Sequence, residues 1–238
     1  QVKDPKSYEI ISEVFRKEKL VDADGLMALA LGLTGHEKAK PDLRKILENK
    51  KSRSPLLRAS AAIGLGLLKD TEAVPIIVNI LSDEKQQSDT LLTPYLILSL
   101  GMIKDHKGVE ILQKMWDKLP GKSYTYPYHS NLTIALTMLG RKKDIVMPAL
   151  IKQAGQTQDQ LLRSYALHSL GLLGDRESAR VFIDAASDKD NTFIMYTTMS
   201  AIGFLMDKNQ LNPLNKITGN LVDVSSQIMD HIGGIPVW

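Results

Sequence analysis

Apolar positions in this chain come in blocks, and the blocks come in pairs. Residues 57–67 read Leu-Arg-Ala-Ser-Ala-Ala-Ile-Gly-Leu-Gly-Leu, small and apolar with little polar interruption. A polar turn, Lys69-Asp70-Thr71-Glu72, separates them from a second apolar block at 74–81. That pattern predicts two helices joined by a tight turn. The phrase returns as Leu161-Leu-Arg-Ser-Tyr-Ala-Leu-His-Ser-Leu-Gly-Leu-Leu-Gly-Asp175, and more loosely at four other places. Taking the residue that closes the Leu-Gly pair as an anchor, the copies fall at Gly32, Gly66, Gly101, Thr137, Gly171 and Gly203. The steps between them are 34, 35, 36, 34 and 32 residues.

A helix pair of this size cannot bury its apolar face alone, and stacking on neighbours builds a continuous core. Repeats are expected at about 22–49, 55–82, 89–118, 129–154, 159–187 and 193–218. Four residues after the anchor stand Asp70, Asp105, Asp175 and Asp207, expected caps for the next helix, with His36 and Arg141 as exceptions. Pro41, Pro75, Pro148 and Pro213 sit early in the second helices, where a missing N–H is tolerated. The anchor glycine costs about 1 kcal/mol of helix propensity against alanine, so its recurrence predicts a close backbone contact.

Upstream, residues 7–19 form an amphipathic segment carrying Tyr8, Ile11, Val14 and Phe15, one period before the second helix of repeat one. Residues 1–21 therefore read as a half-repeat of a longer protein or as an N-terminal cap. Residues 219–238 read as a C-terminal cap and tail, with a closing helix around 222–231. The longest irregular stretch, 118–131, carries Tyr124, Tyr126 and Tyr128. The Met-rich opening of repeat six, 193–199, is expected to fill core.

The Leu57-Arg58 and Leu162-Arg163 pairs, each followed by small residues, Leu-Gly, an Asp turn and an apolar helix, resemble the short HEAT-like repeats named after phycobilisome lyases. The resemblance spans about 22–218 and implies an all-α fold, a right-handed α-α superhelix of about six helix pairs forming one domain. It also implies that Arg58 and Arg163 tie neighbouring repeats through loop acids such as Asp83 and Asp188. Such repeats serve unrelated tasks, so the likeness speaks to fold.

Chemistry was sought at the positions where relatives would hold it. Deoxyhypusine hydroxylase, a di-iron enzyme of similar architecture, places His-Glu ligands directly after Leu-Arg. Here those pairs read Gly25-Leu26, Ala59-Ser60, Pro94-Tyr95, Ser130-Asn131, Ser164-Tyr165 and Tyr196-Thr197, with no ligand among them. The five histidines are scattered without metal-ligand spacing, and no cysteine is present. His168 is expected to pack or cap. Gly121-Lys122-Ser123 lacks the upstream glycine of a phosphate loop, Trp116 standing in its place. No residue set marks a bilin pocket. A HEAT-like DNA glycosylase would resemble a basic, tryptophan-lined cleft. This chain has two tryptophans and a net charge of only +3, and its basic clusters at 50–53 and 141–143 belong to different loop types. No apolar run reaches the roughly 18 residues of a membrane span.

What remains is a surface. In such arrays the second helices line the concave face, and Lys45, Asn79, Lys114, Lys152, Asp184 and Lys216 mark it once per repeat. A mostly basic ladder of this kind suits an acidic peptide. Tyr124, Tyr126 and Tyr128, with Trp116 nearby, offer large contact area at modest entropic cost. The reading is a non-catalytic scaffold or adaptor for a protein or peptide partner, with no metal or cofactor. A spacer domain of a larger protein ranks second. A HEAT-type nucleic-acid binder or enzyme ranks third.

Overall fold

The computed structural model describes residues 5–17, 24–50, 54–119, 126–156, 159–188 and 191–206. Every regular element among them is helical, and they divide into two compact units that meet in sequence at Val146 and Met147.

The first unit contains α1 (Pro5–Lys17), α2 (Asp24–Leu33), α3 (Ala39–Glu48), α4 (Pro55–Leu67), α5 (Val74–Ser82), the single turn α6 (Glu84–Gln87), α7 (Leu92–Ile103), α8 (Lys107–Asp117) and α9 (Tyr126–Met138). The second contains α10 (Met147–Gln156), α11 (Gln160–Leu173), α12 (Ala179–Ala186) and α13 (Thr192–Met206). Each unit is a stack of helix pairs, the α-solenoid architecture that the period predicts. Element starts follow local chemistry. Ser54 accepts from the Leu57 amide at 3.2 Å with Pro55 in the first turn. Asp89 caps α7 through the Leu91 and Leu92 amides, and Asp159 caps α11 in the same way.

First helices pack directly on first helices: α2 on α4, α4 on α7, α7 on α9, and, in the second unit, α11 on α13. The anchor glycines set the spacing. A Cβ on Gly101 would lie 2.5 Å from the Ala135 Cα, and one on Gly171 would lie 2.5 Å from the Ala201 carbonyl oxygen. Short polar side chains also reach across to the neighbouring backbone. The Ser99 hydroxyl donates to the Ala62 carbonyl at 2.6 Å, and the Asn131 amide donates to the Pro94 carbonyl at 2.8 Å. Second helices meet one another sparsely and close the core from the other side with Leu43, Leu47, Ile77, Leu81 and Leu112. Tyr8 of α1 is buried against this array, stacked on His36, with its hydroxyl 3.3 Å from the Lys38 carbonyl.

Three expectations need correction. Asp105 and Asp175 do cap, accepting from the Lys107 and Glu177 amides. Asp70 does not: its carboxylate is buried and turns to Arg44 of α3, 3.2 Å away. Burial raises its pKa and Arg44 opposes the shift. The irregular segment ends earlier than expected, because α9 begins at Tyr126 and places Pro127 in its first turn, where proline is tolerated. The Met-rich start of repeat six is not core filler, since Phe193, Tyr196, Met199 and Met206 form an exposed stripe on α13. The linker after α5 winds into α6. Asp207, Pro213, Lys216 and the expected closing helix at 222–231 lie outside the described residues.

Candidate functional site

Arg58 enters from the first turns of α4 and points back across the end of α3. Its Nε donates to the Leu47 carbonyl at 3.0 Å, a contact favoured because carbonyls at a helix C-terminus carry partial negative charge. Arg163 of α11 repeats this in the second unit, donating through Nε to the Ala154 carbonyl of α10 at 2.9 Å. There the likeness stops. Arg163 also holds the Asp188 carboxylate at 2.8 Å, as the ladder reading expects. Among the described residues Arg58 has no carboxylate within 4 Å, although Asp83 stands at the same spacing of 25 residues. Its second guanidinium nitrogen reaches only the Gln86 amide oxygen, at 3.4 Å.

The loop that follows explains the difference. From Asp188 the chain runs three residues to Asn191, which caps α13 through the Ile194 amide. From Asp83 it runs six residues to the cap Asp89, and the surplus winds into α6. Asp83 becomes the cap of that turn. It accepts from the Lys85 amide at 3.1 Å and from the Gln86 side chain at 2.7 Å, and the Gln86 bond holds its carboxyl below the ordinary range.

Arg58 is left 8% exposed on the wall of a cleft of about 370 Å³ between the ends of α3 and α4 and the outer side of α5. Lys50, Asn79 and Glu48 are its other polar groups, and Pro75 and Ile76 supply an apolar wall. Loss of water lowers the Arg58 pKa, and the charge on Asp89 partly opposes the shift. A guanidinium stays protonated in proteins, so the site carries a poorly solvated cation.

The residues expected to make contacts divide. Asn79 is exposed and lines the cleft. Lys45 on α3 and Lys114 on α8 are exposed, and Lys114 is 2.6 Å from Glu110 one turn earlier. Lys152 is exposed on α10, in the second unit. Trp116, expected among the contact residues, is instead core: it is 3% exposed and packs on His129 with ring centroids 5.5 Å apart. Tyr124 lies outside the described residues, and of Tyr126 only the backbone is described. Tyr128 is half-buried in α9, and burial pushes its phenol up to about 12. Sequence reasoning missed Arg58 and Lys50 as members of one site. The legible signal was the step of 35 between Gly66 and Gly101 against 32 between Gly171 and Gly203.

Elsewhere, His168 packs edge-on against Phe204, and burial lowers its pKa. Among the described residues no cluster of three or more His, Asp or Glu is placed to hold a metal ion. None of the described helices is long and apolar enough to cross a membrane.

Paired helices, backbone-close first helices and arginines seated on the preceding helix end define a HEAT-like α-solenoid. Residues 57–83, most of α4 and all of α5, match the family model of the PBS lyase HEAT-like repeat. Among solved structures, the complex of CpcE and CpcF of phycocyanin lyase from Nostoc sp. PCC7120 is similar at 19% identity, with 82% of this chain and 93% of that chain covered and a TM-score of 0.45. Human deoxyhypusine hydroxylase in complex with glycerol is similar at 14% identity, with 85% of each chain covered and a TM-score of 0.36. No curated protein matches the chain. The activities those structures are named for do not pass to this chain at such distances.

Proposed function

We propose that this chain is a non-catalytic scaffold that binds a partner polypeptide on the second-helix side of its first unit. The observation that carries the reading is the cleft in which a buried cation without an ion pair, Arg58, meets Lys50, Asn79 and an apolar wall. Cations beside an apolar wall suit a peptide that alternates acidic and apolar side chains. The exposed Lys45 and Lys114 extend the polar surface along the neighbouring second helices. The segment around Tyr124 and Tyr126 is a second contact in this reading.

Affinity purification from the source cells tests it, comparing wild type with Asn79→Arg and with Lys104→Glu, a surface change in the turn after α7. A partner held by wild type and by Lys104→Glu but lost by Asn79→Arg is the expected result. Equal recovery by all three, or no specific partner, overturns it.

A further inference from the structure

We infer that the cleft beside Arg58 is a carboxylate-recognition site: an aspartate or glutamate of the partner polypeptide completes the ion pair that Asp188 supplies to Arg163. The inference rests on the scaffold reading and names the chemistry of its partner.

Two arginines in one chain occupy the same place in the repeat and seat their Nε on the same kind of carbonyl. One has a carboxylate at 2.8 Å and the other has none. Arg58 is the more deeply buried of the two, since Arg163 is only half-buried. A buried guanidinium costs free energy unless a charge or several hydrogen bonds replace its water. Here the replacement is two bonds to neutral acceptors, one of them at 3.4 Å. Arg58 is one of the residues that line the cleft. A carboxylate entering the cleft would find the cations of Arg58 and Lys50 and the Asn79 amide along its walls.

The anionic neighbours do not occupy this position. Glu48 lines the cleft but is exposed, Asp89 accepts the Leu91 and Leu92 amides through Oδ1 and acts on Arg58 through its charge without forming an ion pair, and Asp83 caps α6. The apolar wall from Pro75 and Ile76 selects a carboxylate flanked by apolar side chains over a free anion.

The test uses the full chain and three probes: an acetylated, amidated pentapeptide Gly-Leu-Asp-Leu-Gly, its Asn counterpart, and acetate. Titration calorimetry is expected to show the Asp peptide binding at least tenfold tighter than the Asn peptide, with acetate far weaker than either. Gln86→Glu is the decisive variant, because it places a carboxylate within reach of Arg58 and removes the amide donor to Asp83. It should abolish the preference for Asp while leaving the helical circular dichroism unchanged. Arg58→Gln should lose the same preference, but it disturbs packing and serves as support only. Equal affinity for the two peptides, acetate binding as tightly as the Asp peptide, or an unaltered preference in Gln86→Glu each overturns the inference. A partner captured equally by wild type and Gln86→Glu would remove this site while leaving the scaffold reading standing.

Discussion

Adding one methyl group at an anchor glycine tests the stacking most sharply, because the same substitution should change sign along the chain. A Cβ on Gly101 would meet the Ala135 Cα at 2.5 Å and the Ala135 Cβ at 2.9 Å, where ordinary contact begins near 3.4 Å. Neither atom is the end of a flexible side chain, so α7 and α9 must separate by about 1 Å along a face buried on both sides. Overpacking of this kind costs about 1–3 kcal/mol. Replacing a helical glycine with alanine returns up to about 1 kcal/mol. Gly101→Ala is therefore expected to destabilise the chain by about 1–2 kcal/mol, or roughly 2–8 °C in Tm at this length. Gly171→Ala, with the Ala201 carbonyl oxygen at 2.5 Å and its Cα at 2.7 Å, should do the same in the second unit. Among the described residues no atom lies within 4 Å of the Gly203 Cβ position, so Gly203→Ala gains propensity without a clash and should raise stability by up to about 1 kcal/mol. Urea unfolding followed by helical circular dichroism reads all three. A stabilising Gly101→Ala, or a shift of the same sign in Gly203→Ala, would refute close backbone stacking as the reason for the glycines.

Four further outcomes follow from polar groups. Tyr95 has a buried hydroxyl without a partner, so Tyr95→Phe should stabilise the chain by about 1 kcal/mol in the same unfolding assay. Burial pushes the phenols of Tyr95 and Tyr128 up to about 12, and absorbance at alkaline pH should show two tyrosines ionising after the exposed ones. His168 is held neutral by burial, its folded pKa lying below the ordinary 6.5. The unfolded chain then takes up the proton first, so stability is fully present above pH 6.5 and falls as pH drops toward the folded pKa. His168→Gln should flatten that slope in midpoints measured between pH 7.5 and 5. Asp188→Asn should lower stability by about 1 kcal/mol, because the Arg163 pair it weakens is partly screened by solvent.

The fold was legible because it is written in a repeated contact. Gly101 and Gly171 recur where backbones touch, and the small residues facing them, Ala135 and Ala201, are visible in the same register. The candidate site was less legible because it arises where the repeat departs from itself. Asp83 and Asp188 look equivalent in sequence, yet three additional residues after Asp83 form a turn that claims its carboxylate. Asp70 reads like Asp105 and Asp175, but Arg44 reaches it from the preceding helix and burial follows. Trp116 reads as a contact residue by type alone, and only the position of α9 shows that His129 covers it. Tertiary neighbours, not local pattern, decide each of these cases.

The most direct test of the scaffold reading is a photo-crosslinking side chain placed at Asn79, on the cleft wall, and at Lys104, in the turn after α7. The account predicts that the Asn79 probe captures a distinct polypeptide in the source cells, that the Lys104 probe does not, and that Gln86→Glu sharply reduces the Asn79 product. Capture of the same polypeptide from both positions, or of none from Asn79, would contradict a partner site on this side of the first unit.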